Sequence, residues 1–283
     1  MKKLTLIITL ASNLFLYTAS VSASENLNLP TSLATDYVDV AAYDKQKRKI
    51  LYTNLALASG AALYGLSVWD WGDTSFHTKD EGWISDNTAY GGADKFGHFY
   101  GGYAITRISS ALYRSWGVSS ERALRNGLFS SILFTTATEI GDGFSATYGF
   151  SYEDFISNTL GQLAGYYLET HPEIDKKIDI RLEYNLGSID ASYDPISSYN
   201  NMKTLVAIKA SGFKSLNRGP LKYLEFHLGY YSRGFQKSDK YHNPERHFYT
   251  GIGLNISEIF NQLKYKKTAK IFNYYQLPGT YIE

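Results

Sequence analysis

Near Pro172 the spacing of apolar residues changes from that of a helix to that of a strand. Beyond it, Ile178, Ile180, Leu182, Tyr184 and Leu186 alternate with Asp179, Arg181, Glu183 and Asn185. That period of two predicts a strand with one buried face. Before it, apolar and small residues recur at helical spacing over residues 50–69, 94–116, 120–140 and 151–169. Gly117, Gly141-Asp142-Gly143 and His171-Pro172 supply the stops. A chain that places its helices first and its strands second is α+β. The spacing predicts a four-helix unit within residues 46–170, followed by a four-stranded antiparallel sheet within 173–283. Strand candidates are 178–186, 203–213, 221–235 and 246–256, with a short helix near 257–268 and an aromatic tail lying against the body. Strands of about ten residues rich in Tyr, Phe and Gly also build outer-membrane barrels, but the smallest of those need about eight.

The first 23 residues read as a secretory leader. Met1-Lys2-Lys3 is positively charged, Leu4–Tyr17 is apolar, and Val21-Ser22-Ala23 offers small residues for cleavage after Ala23. Residues 24–45 read as an N-terminal arm. The stretch 50–69 is long enough to span a membrane. No second stretch is comparably apolar, which favours a buried central helix. With the leader gone, Lys2 and Lys3 go too, and the formal charge falls from +1 to −1.

Composition then excludes several classes. The chain contains no cysteine, so disulfides, thiolate metal sites and cysteine nucleophiles are out. Balanced charge gives no basic footprint for nucleic acid. A mean hydropathy of −0.27 does not fit a polytopic membrane protein. Neither G-x-S-x-G nor G-x-x-x-x-G-K-S/T occurs, so neither a serine-hydrolase elbow nor a phosphate-cradling loop is signalled.

What stands out is a set of polar groups in apolar helices. Asp94 and His98 are four residues apart and share a helix face, with Lys95 beside them. Glu139 and Asp142 fall at the end of the third helix. Asp154 and Asn158 are again four apart, with Gly161 and Gly165 continuing that side. Three readings stay open. Asp94, His98, Glu139 and Asp154 could perform acid/base catalysis. The same groups, with Lys95, Asp142 and Asn158, could bind a ligand or a metal of the kind held by N and O donors. Or they could pair with one another and cap helices. No cofactor is indicated. The segments GYYSRGF and LKYKKTAKIF mix aromatics with cations, and could touch lipid headgroups.

The runs GGADKFGHFYGGYAITRISSALYRSWG (91–117) and TEIGDGFSATYGFSYEDFISNTLGQLAGYY (138–167) resemble the YfiM-like family of predicted periplasmic lipoproteins. The shared pattern is D-K-x-x-H, E-I-x-D-G and S-x-E-D-x-x-x-N-x-x-G. Here it falls on Asp94, Lys95 and His98; on Glu139, Ile140, Asp142 and Gly143; and on Ser151, Glu153, Asp154, Asn158 and Gly161. The order is also similar to VanZ-like membrane proteins over a shorter stretch. The resemblance implies an envelope location, in the periplasm or at the outer membrane, and no established reaction. The missing cysteine departs from the lipoprotein pattern. The expectation is therefore an exported accessory protein whose partner is a membrane or envelope component, with a protein partner also compatible. The alternative is an acid/base or metal-dependent enzyme acting on an envelope lipid or cell-wall component.

Overall fold

The computed structural model describes residues 40–84, 88–185, 194–236 and 243–283. The leader and most of the expected arm lie outside these. Val40–Lys45, placed in the arm by sequence, are helical. The long helices are α1 (Val40–Val68), α2 (Ala93–Ser115), α3 (Ser120–Asp142) and α4 (Tyr152–Thr170). A single turn, α5 (Pro172–Asp175), leads into the strands. Two short helices, α6 (Ile256–Gln262) and α7 (Lys266–Ile271), follow them. The fold is α+β, as the change of period predicted.

The four long helices do not make one unit. Among the described residues, those of 40–79 and 108–151 form one compact unit, and those of 80–107 and 152–283 form another. The units therefore cut across the expected helical region 46–170. The reason is visible in the sequence of α4, whose small and polar side suits close packing against the first half of α2.

In the first unit, α1 packs on α3, and Ile50, Tyr113, Val118 and Ala123 form one buried cluster. Trp71 anchors a second with Ala61 and Trp69. A Cβ on Gly65 or Gly141 would meet the Trp71 ring at 2.2 and 2.4 Å respectively, so only glycine lets the indole in. No described helix is long and apolar enough to cross a membrane. Ile50, Asn54, Ala61 and Gly65 are the buried positions of α1.

In the second unit, an antiparallel sheet runs in the order β1 (Ile178–Tyr184), β2 (Met202–Lys209), β3 (Leu224–Arg233), β4 (Glu245–Leu254) and β5 (Tyr281–Ile282). The sequence predicted four strands. The fifth is only two residues of the tail, too short to leave a periodic signature. The tail also reaches the far edge: Leu182 donates to Tyr274 O and Gln276 donates to Leu182 O. Residues 274–282 thus run from the free edge of β1 to the free edge of β4.

Both faces of the sheet are covered over β1 and β2, where Ile180 packs with Tyr103, Ala104 and Leu168 on the apolar side, and the other face is charged and buried. Arg181 is 1% exposed and His227 is fully buried. The Arg181 guanidinium holds Glu225 at 2.5 and 2.9 Å, Asp179 at 2.7 Å and Gln276 at 3.0 Å. Lys209 bonds Asp179 and His227 contacts Glu225 at 2.8 Å. Small interior residues make room. Ala207 faces His227, which faces Gly251, and a Cβ on Gly229 would strike the Tyr249 ring. The apolar positions point the other way. Ile178, Ile208, Phe226, Ile252 and Ile282 line up across all five strands, and Phe226 is 41% and Ile252 57% exposed.

Candidate functional site

Helix α2 begins after Gly91 and Gly92, whose φ angles of +63° and +87° make a turn that side chains resist. Asp94 then lies in the first turn of α2, and Asp154 in the first turn of α4. Both carboxylates sit where the helix dipole favours negative charge. The two helices approach closely: a Cβ on Gly161 would lie 1.8 Å from Phe99 O, and one on Gly102 would lie 2.2 Å from Asn158 O. This close crossing brings the two polar faces together.

Lys95 is the centre of the resulting cluster. Its Nζ lies 2.7 Å from Asp94 Oδ2, 2.7 Å from Asp154 Oδ1 and 2.8 Å from Glu81 Oε2. Burial opposes the Lys95 charge, but Asp94, Asp154 and Glu81 outweigh it and hold the ammonium above the ordinary lysine range. Burial lifts the Asp94 carboxyl from 3.8 to about 6, Lys95 opposes the rise, and Asp154 adds to it. Asp94 Oδ1 accepts no hydrogen bond among the described residues. Next to Asp154 stands His98, 22% exposed, with Nε2 at 3.5 Å from Oδ1. Its Nδ1 lies 3.2 Å from Asn158 Nδ2, so the carboxamide donates to Nδ1 and the imidazole proton sits on Nε2. Burial, and then Asp94 and Asp154, push the Tyr199 phenol well up.

Glu81, Asp94 and Asp154 present ligand atoms within 4.8 Å of one another, a donor set of the type that suits a hard divalent cation. Here the Lys95 ammonium lies among them and serves as their cation. The arrangement fits a salt-bridged cluster better than a metal centre.

Of the residues singled out by sequence, Asp94, Lys95, His98, Asp154 and Asn158 come together in the second unit. Glu139 and Asp142 belong to the first. Glu139 is buried on α3, and Asp142 Oδ1 accepts from Trp71 Nε1 at 2.7 Å, a structural task. The motif residue Glu153 is also structural in geometry, since its Oε1 accepts from Gly82 N at 3.0 Å. Sequence reasoning missed Glu81 and Tyr199, which come from a loop and from a single 3-10 turn (Tyr199–Asn201), both too short to show a period. His227, read as a surface or strand histidine, is in a strand but wholly buried.

Residues 80–170 match a family described as predicted periplasmic lipoprotein (DUF2279). The chain is similar to that family over less than half its length. Every member of the Lys95 cluster except Tyr199 lies in the matched stretch, and the sheet lies outside it. No curated protein and no solved structure matches the chain.

Proposed function

We propose that this chain is an exported envelope protein that works at a membrane surface as a non-enzymatic accessory. The observation that carries this reading is the apolar face of the sheet, left open over β3 and β4. Leu224, Phe226, Leu228, Phe248, Ile252 and Leu254 are exposed while Glu225 and His227 are buried. A contiguous apolar face of this kind marks an interaction surface. Polar-in, apolar-out alternation is also how a sheet faces lipid.

Charge supports a lipid partner. From Ile259 to Ile282 the chain has four lysines and no acidic residue. Lys264, Lys266, Lys267 and Lys270 are exposed around Leu263, Tyr265 and Ile271. These lysines make no ion pair among the described residues. Apolar side chains amid unpaired cations suit an anionic interface. Similarity to a predicted periplasmic family supports the envelope location, and the YfiM-like reading of the motifs and an outer-membrane address belong to this proposal. With no cysteine in the sequence, attachment within these residues rests on non-covalent surfaces.

The test is flotation with vesicles. The chain is expected to float with phosphatidylglycerol-containing vesicles and less with pure phosphatidylcholine. Replacing the four lysines by glutamine should remove that preference, and Phe226→Asn with Ile252→Asn should weaken both. A wild-type chain that floats with neither overturns the reading. A second reading is acid/base catalysis, favoured by the His98 imidazole, oriented by Asn158 and Asp154 and open to solvent. Product release from envelope lipid or cell-wall fragments that disappears in His98→Ala would select it.

A further inference from the structure

The second unit contains a cavity of about 550 Å³, within the ~300–1,000 Å³ typical of small-molecule sites. Phe96, Phe99 and Leu160 form its helical wall, and Val206, Leu228 and Phe248 its sheet wall. The sheet wall belongs to the outward apolar face, so the space exists because that face is only partly covered by α2 and α4.

The polar inventory decides what fits. Lys95 is the one charged residue among those lining the cavity. Its ammonium is already held by three carboxylates, which leaves the methylene stem for the cavity. The Tyr230 hydroxyl donates to Gly91 O. An anionic head placed by Lys95 would meet a cluster with more carboxylates than ammoniums. The remaining polar side chains of the wall, Ser157, Thr204, Tyr249 and Thr250, carry uncharged hydroxyls, so the wall offers mainly hydrocarbon contact and no free charge for a charged head. Leu160, Leu228 and Phe248 line the cavity and are also 51%, 45% and 70% exposed, so its mouth opens within apolar surface. A hydrocarbon chain can enter there while a polar head stays outside.

We propose that this cavity binds a single lipid acyl chain, with the headgroup left in solvent or at the interface. The site stands on the cavity itself and goes beyond membrane attachment. The full-length chain should bind the neutral fluorophore N-phenyl-1-naphthylamine saturably, at one site per chain, and dodecanol should displace it. Val206→Trp, which fills the space, should weaken binding at least tenfold with an unchanged circular dichroism spectrum. If Val206→Trp does not fold, Val206→Met should show a smaller loss in the same direction. Ile252→Trp, on the same face but outside the cavity, should bind as wild type does. Dye uptake that does not saturate, equal binding by the Val206 and Ile252 variants, or displacement by naphthalene but not dodecanol overturns the site. Dye binding without vesicle flotation would leave this site standing and remove the membrane-surface reading; the reverse result would do the opposite.

Discussion

Lys95 Nζ and Asp154 Oδ1 lie 2.7 Å apart although their residues are 59 positions apart in the chain. Each sits in the first turn of its own helix, and both are buried. The pair ties α2 to α4 at their first turns, ahead of the glycines that allow the closest approach. Removing one partner of a buried ion pair leaves an uncompensated charge and costs about 3–5 kcal/mol. Lys95→Met strands three carboxylates and should reach the upper part of that range in urea unfolding. Adding Asp154→Asn should restore part of the loss. A Lys95→Met chain as stable as wild type would mean the cluster does not hold the unit together.

The cluster should also give stability a pH dependence. Burial lifts the Asp94 carboxyl from 3.8 to about 6, so the folded chain binds that proton more tightly than the unfolded chain. Stability from this group is then highest below pH 4, falls as pH rises through the window up to 6, and levels above it. A lift of that size corresponds to about 3 kcal/mol. Asp94→Asn should flatten unfolding free energies measured between pH 4 and 6. An unchanged slope would assign the pH dependence elsewhere.

Two glycines of the same helix pair should behave oppositely. A Cβ on Gly161 would lie inside contact distance of Phe99 O, a backbone atom that cannot swing away, whereas a Cβ on Gly101 meets nothing within 4 Å. Gly161→Ala should lose about 1–3 kcal/mol and lower the melting temperature. Gly101→Ala should be neutral or gain up to about 1 kcal/mol from helix propensity. Similar melting temperatures for the two variants would contradict the close crossing.

Inside the sheet, Arg181→Met leaves Glu225 with only His227 and Asp179 with only Lys209. A loss of about 3–5 kcal/mol is expected, read by thermal unfolding. The double variant Arg181→Met with Glu225→Met should be less destabilised than the single one, because the pair is removed together. Equal losses would show that the two side chains are not coupled.

The helices and strands were legible because each repeats its own period, and the spans 178–184 and 245–254 fall almost where alternation put them. The orientation of the sheet was not. Alternation shows that a strand has two unlike faces, and says nothing about which one is covered. In β1 both are: Ile180 packs with Tyr103, Ala104 and Leu168, while Arg181 on the other side is held by Glu225 and Asp179 of the sheet and by Gln276 of the tail. The site was half legible for a related reason. Spacing of four places Asp94 with His98, and Asp154 with Asn158, on single helix faces, because that relation is local. Which helices meet is not local, so Glu139, on a third helix, could be grouped with them by composition alone. Glu81 stands in an irregular loop, where charge alone gives no address.

The run of residues 274–282 from one sheet edge to the other sets an order of events. Non-local pairings are won late in folding because the loop must close before they contribute. Here β1 cannot satisfy its outer edge, nor Arg181 its full set of partners, until residue 276 exists and has returned across more than ninety residues. The second unit is therefore unable to complete itself while its C-terminal strand is still being made. Until then Arg181 lacks its Gln276 partner and the outer edge of β1 stays unpaired at Leu182.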